Sequence, residues 1–213
     1  MIAKYKSDFP NQVQQLNVSI SKHYHLLKDG TIKWQEKQID VDRANYRGHN
    51  KRLLVTYIIR DHYSSCFYAE LHPTDSMPRI EDFLYNAWQK KDHYEFCGIG
   101  YNIIVPKITL DLFPQLNSFF SNVDKVNLQL PSSGFNSAVR SIREWEKKIK
   151  SVEYFISDTE KLEGFQNKID EINRLINSKF YSERSNLKKW AENNPKILLP
   201  RDKESFYSYF QQR

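Results

Sequence analysis

Residues 101–113 read YNIIVPKITLDLF, and the fold turns on how this stretch is understood. Ile103, Ile104 and Val105 form a short unbroken apolar run that ends at Pro106 and Lys107. Such a run fits a strand covered on both faces, as central parallel strands are. Pro106 stops it, because proline brings no N–H to a sheet ladder. Beyond it, LDLFPQLNSFFSNV has helical spacing, with Pro114 in a first turn where a missing N–H is tolerated.

Working upstream, PRIEDFLYNAWQKK carries apolar residues at Ile80, Phe83, Leu84, Ala87 and Trp88, a helical stripe. Before it, QIDVDRA, LLVTYII and CFYAEL are β-rich segments separated by YRGHNKR and RDHYSS. Three such segments with short turns predict an antiparallel meander. Residues 1–33 are polar and mixed, and read as an arm or short helix. Downstream, KVNLQL predicts a further strand and PSSGF a loop. A long helix follows, with Ala138, Val139, Ile142, Trp145, Ile149 and Val152 on one face. Glu146 falls at the margin of that apolar face and should need a partner. The order is β-β-β-α-β-α-β-α, an α/β mixed sheet over residues 34–156. Leu162, Phe165, Ile169, Ile172, Ile176 and Phe180 then recur at steps of three and four, which predicts a helical extension over 157–213.

Apolar residues make up 39% of the 213 and aromatic residues 14%, enough for a real core. No apolar run is long enough for a membrane span or a signal peptide, so a cytoplasmic protein is expected. Cys66 and Cys97 are the only cysteines, which disfavours a disulfide framework or a structural zinc site and reads as two core thiols. His23 and His25 read as two exposed histidines in a polar segment. The net charge of +6 is concentrated in residues 1–60, which hold 11 Lys/Arg against 5 Asp/Glu. Such a lobe suits a phosphate backbone, although many basic proteins bind none.

The element order, with KQIDVDRANYRGHNKRLLVTYIIRDHYSSCFYAELHP, EDFLYNAWQKK, NIIVPK and LPSSGFNSAVRSIREWE, resembles the catalytic core of retroviral integrases and DDE transposases, within the ribonuclease H-like superfamily. The resemblance covers about residues 34–150. It implies an Asp on the first strand, a second Asp after the fourth and a Glu on the following helix, holding two Mg2+ or Mn2+ for phosphoryl transfer. Asp40 takes the first place. Pro106, followed by Lys107, takes the second, and Arg140 takes the Glu place, with Glu144 one turn further on. Asp111 and Asp42 are nearby acids, but Asp111 is better explained as a helix cap and Asp42 leaves the bridging place unfilled.

The expectation is therefore an integrase-like domain that has lost this chemistry, with no cofactor and no metal. It would act as a DNA-binding or protein-binding accessory factor of a mobile element, phage or defence system. Arg43, Arg47, Lys51, Arg52, Lys107, Arg140, Arg143 and Lys147 are the candidate nucleic-acid contacts. Two alternatives stay open. One is a working Mg2+- or Mn2+-dependent nuclease or transposase using Asp40 and Glu144. The other is a purely protein-binding module, with a homodimer among its forms.

Overall fold

The computed structural model describes residues 6–41, 52–131, 137–151, 161–178, 185–193, 195 and 197–211. Its centre is a strand of 14 residues, β1 (Val13–Leu26), with the sequence VQQLNVSISKHYHL. From Leu16 to Ile20 apolar and polar residues alternate, the period that puts successive side chains on opposite faces. β2 (Ile32–Trp34) folds back on its far end in antiparallel pairing. β3 (Arg52–Asp61) and β4 (Phe67–Pro73) extend the sheet on one side, both antiparallel. On the other side lie β5 (Asn102–Ile104) and β6 (Asn127–Gln129), both parallel. The order across the sheet is β4-β3-β1-β5-β6, with β2 attached to β1. This is the ribonuclease H-like mixed sheet that the sequence predicts.

Helices cover both faces. α1 (Ile80–Trp88), α2 (Lys107–Leu112) and α3 (Gln115–Asn122) join the parallel strands, and α4 (Ser137–Ser151) follows β6. α5 (Leu162–Asn167), α6 (Ile169–Ser178), α7 (Asn186–Glu192) and α8 (Lys203–Ser208) form the C-terminal extension. One core holds Leu16, Val18 and Tyr57 of the sheet with Phe83, Trp88, Phe119, Trp190 and Phe206. The other holds Tyr24, Leu54 and Ile58 with Ile142, Trp145, Phe165, Ile172 and Ile176. The aromatic tail packs on the first face, where Phe210 stacks on Phe119 at 4.7 Å.

Two expectations need correction. Residues 1–33 are not an arm, since Val13–Leu26 is the strand on which the sheet is built, and the core begins there rather than at 34. The first strand is also not at QIDVDRA: residues 38–41 belong to no strand, although the Ile39 N–H donates to Lys22 O at 2.7 Å. β1 escapes a hydropathy reading because it buries Gln14, Gln15, Asn17, Ser21, His23 and His25. His23 and His25 are thus buried rather than exposed; the His23 ring stacks on Trp34 at 4.3 Å and its Nδ1 lies 3.0 Å from Gln35 O. The helix expected across Pro114 is two helices, with Phe113 closing α2 and Pro114 capping α3. Cys66 and Cys97 are buried free thiols, as expected.

Gln14 shows how the buried polar groups are accommodated. Its Nε2 donates to Asn11 Oδ1 at 3.0 Å and to Gly98 O at 2.9 Å. Its Oε1 accepts from Trp88 Nε1 at 2.9 Å and from the Gly100 N–H at 3.2 Å. Asn11 Oδ1 also accepts from Trp190 Nε1 at 3.2 Å, which ties α7 to the start of β1.

The free edge of β4 is closed in a different way. Asn173 and Asn177, one turn apart on α6, present their amides to the strand as a neighbouring strand would. Asn173 accepts from the Ala69 N–H at 3.3 Å and donates to Ala69 O at 2.9 Å. Asn177 accepts from the Phe67 N–H at 3.2 Å and donates to Phe67 O at 3.0 Å. Gln166 of α5 donates to Leu71 O at 2.9 Å. Unpaired strand edges invite pairing with another chain, and these helices remove that edge from solvent.

Candidate functional site

In a sheet of this order the two central parallel strands, β1 and β5, carry side chains toward the helix after the last strand. Leu16 and Val18 point into the core beneath α1 and α3, so Gln15, Asn17 and Ser19 point to the α4 face. β1 and β5 pair as Gln14 with Ile103 and Gln15 with Ile104. The pairing ends there, with Asn17 two residues further along β1 and Pro106 two residues past Ile104 as the N-cap of α2. On the other side Gln15 pairs with Arg60 and Asn17 with Ile58 of β3. Arg60 Nη1 donates to Ser141 Oγ of α4 at 3.3 Å, and its Nη2 donates to Ser65 Oγ at 2.7 Å. Burial pushes the Arg60 pKa down, with Glu144 opposing that shift. Asn17 is buried, and its Nδ2 has no hydrogen-bond partner.

The residues that the sequence singles out are distributed as follows. Asp40 is exposed and lies outside the sheet. Pro106 closes β5 and caps α2, while Lys107 and Asp111 are exposed on α2. Arg140 Nε donates to Glu144 Oε1 at 2.9 Å, an exposed pair one turn apart. Arg52 forms a two-bond pair with Asp75, at 2.9 and 3.1 Å. Arg143 and Lys147 are exposed on α4. Asp42, Arg43, Arg47 and Lys51 lie outside the described residues. The structure therefore brings Pro106 toward the α4 face of the sheet but does not bring Asp40 there.

The residues of this edge do not fit a pair of divalent ions. Mg2+ and Mn2+ take hard oxygens, and a two-ion site is built from carboxylates that bridge. Gln15 and Asn17 offer amides, Pro106 offers no side-chain donor, and Lys107 and Arg140 bring positive charge. Among the described residues no three His, Cys, Asp or Glu side chains gather in a way that holds a metal. The expectation placed the first acid at Asp40 because the true first strand went unread. The alternation LNVSI was the signal that would have found β1.

Glu146 has the partner that its position demands, and the partner is backbone. β1 shifts register against β3 between Ile20 and His25, a bulge that turns N–H groups out of the ladder. Glu146 accepts there from the Lys22 N–H at 3.1 Å, from the His23 N–H at 3.1 Å and from Thr56 Oγ1 at 3.4 Å. Burial nevertheless pushes its carboxyl up to about 7, against the lowering effect of these donors. A carboxyl whose pKa is higher folded than unfolded stabilises the fold below its unfolded pKa of 4.5, and loses that contribution as pH rises through 7. Urea unfolding should show about 3 kcal/mol of stability lost from this group between pH 4.5 and pH 7.5. Glu146→Gln removes that part of the slope, so equal slopes in the two proteins would refute the assignment.

The strand order is that of a ribonuclease H-like fold. No family model and no curated protein matches the sequence. Among solved structures, the chain is similar to the HTLV-2 integrase catalytic core domain in complex with magnesium, in its dimeric form. That likeness has 10% identity and a TM-score of 0.44, covering 87% of this chain and 99% of that one. It is also similar to a simian T-cell lymphotropic virus intasome in complex with PP2A regulatory subunit B56 gamma. There the identity is 9% and the TM-score 0.45, over 92% of this chain and 60% of that one. No helix among the described residues is long and apolar enough to cross a membrane.

Proposed function

We propose that this is an integrase-like domain that has given up metal-dependent phosphoryl transfer and binds the backbone of DNA. What supports the first half is that β1 offers the amides of Gln15 and Asn17 beside the end of β5, and that Pro106 follows β5, where the two-ion chemistry needs carboxylates. The second half rests on α4. Arg140, Arg143, Lys147 and Lys150 recur at steps of three and four, so they form one exposed basic row along the helix. Phosphate contacts of this kind give affinity without reading sequence. An accessory role in a mobile element, phage or defence system belongs to this reading, as does a protein partner bound beside the DNA.

The test is binding to a fluorescent duplex over a range of salt. Affinity should fall steeply with salt, and Arg143→Ala with Lys147→Ala should weaken it and flatten the log–log slope by about 2. Both residues are exposed, so the double variant should fold. No measurable binding at low salt would sink the nucleic-acid half and favour a protein-binding module. Mg2+- or Mn2+-dependent cleavage of the duplex that Asp40→Asn abolishes would overturn the non-catalytic half.

A further inference from the structure

Between β4 and the helices α1, α5 and α6 lies a cavity of about 220 Å3, open to solvent on one side. Tyr68, Glu70 and His72 line it from one face of β4, Asn86 from α1, Gln166 from α5 and Ile169 from α6. The space equals about seven waters at their liquid volume, enough for the head and short stem of an organic ion.

Glu70 is 6% exposed, and its carboxylate is held by three side chains. Tyr68 OH donates to Oε1 at 2.9 Å, Asn86 Nδ2 donates to Oε1 at 3.1 Å, and His72 Nε2 lies 2.8 Å from Oε2. The charge of the histidine follows from its other nitrogen. Gln166 Nε2 donates to the Leu71 carbonyl, which fixes which end of that amide carries the protons. The same Nε2 lies 3.0 Å from His72 Nδ1, so Nδ1 accepts and the ring is neutral, with its proton on Nε2 facing Glu70.

All three partners of this buried carboxylate are therefore neutral. Buried charges are ordinarily matched by an opposite one. The nearby ammonium, Lys91 Nζ, donates to Ala87 O, Gln89 O and Phe96 O at 2.8, 3.0 and 2.8 Å, lies 5.0 Å from the centre of the Tyr68 ring, and is a cation within electrostatic reach of Glu70. A second acid, Asp170, lies within electrostatic reach; burial raises its pKa, the Lys91 charge lowers it and the charge of Glu70 raises it. The cavity thus presents one buried carboxylate, Glu70, among aromatic, amide and aliphatic walls.

We propose that this cavity binds a small organic cation of the alkylguanidinium or alkylammonium class, its head against Glu70 and its stem against Tyr68 and Ile169. An aromatic face beside a carboxylate suits such a group, which needs both charge and apolar contact. This site lies away from the proposed DNA-binding row and does not depend on it.

The probes are N-ethylguanidinium chloride and its neutral shape-match N-ethylurea, titrated into the full chain by calorimetry and ligand-observed NMR. The guanidinium should bind saturably and the urea should not. Glu70→Gln should weaken binding at least about tenfold, and Ile169→Trp, which fills the cavity, should abolish it. Equal binding of the urea, unchanged binding to Ile169→Trp, or no saturable binding of the guanidinium would each overturn the proposal. If Glu70→Gln does not fold, the comparison of charge with shape and the filled-cavity variant still decide it. A capped peptide with one central arginine separates the sources. Tighter binding than the free ion assigns the cation to a polypeptide side chain, and weaker binding assigns it to a soluble amine.

Discussion

Replacing Asn173 and Asn177 together by leucine should destabilise the protein by about 5 kcal/mol, read as a large fall in the urea midpoint. Each asparagine is fully buried and satisfies one backbone N–H and one C=O of β4. Leucine has nearly the same size but leaves the Phe67 and Ala69 N–H groups and the Ala69 C=O without these partners, while Phe67 O keeps its bond from Tyr94 OH. An orphaned buried group costs about 1–3 kcal/mol, so even the lower end of that range is a large share of a typical folding free energy. The same change exposes an edge strand, so the variant should also elute as larger species in size-exclusion chromatography. Arg174→Ala on the same helix is the control. Its exposed pair with Glu95 spans 3.7 Å, and its loss should stay within about 0.5 kcal/mol. A double variant as stable as that control would show that the amides do not close the edge.

Gln14→Leu should cost about 4 kcal/mol. The variant keeps the volume near the start of β1 but removes the group that joins α1, the 97–100 segment and the Asn11 turn. Trp88 Nε1 and the Gly100 N–H lose their acceptor and Gly98 O loses its donor, while Asn11 Oδ1 loses one of two donors and keeps Trp190 Nε1. Gly100 has no slack to compensate, since a Cβ there would lie 2.9 Å from the Gln14 side chain. A double cycle with Trp88→Phe provides the check. The tryptophan variant alone loses one bond, and the two changes together should cost clearly less than their sum. Additive costs would mean that the two side chains do not act as one network.

How much of this was legible from sequence differs by element. The buried strand ending at Pro106, the helix after it and the apolar face of α4 follow from spacing, because each is apolar where it is buried. Glu146 stands out for the same reason, an acid on the edge of an apolar face, although no local rule says that its partner is a bulge in β1. β1 was missed because hydropathy equates burial with apolar character. This strand buries amides, a serine and histidines, and Gln14 finds partners 74 to 86 positions away in the sequence. Once β1 was missed, the meander moved one strand along, and Asp40, which lies outside the sheet, was read onto its first strand. Asn173 and Asn177 were invisible for a related reason. On a helix with an apolar stripe they look like ordinary wet positions, and only the neighbouring strand makes them a seal.

The tie between Asn11 and Trp190 also has a history in time. The residues are 179 positions apart, so the turn before β1 must wait for α7, as Gln14 must wait for α1 and the 98–100 segment. A ribosome adding about 5–20 residues per second needs roughly 10–40 seconds to cover that interval. During much of it the first strand made is a ribbon of unmatched amides, and β4 has emerged without the helix that seals it. The riskiest moment in the life of this protein therefore comes before it is complete, and slower translation lengthens that moment.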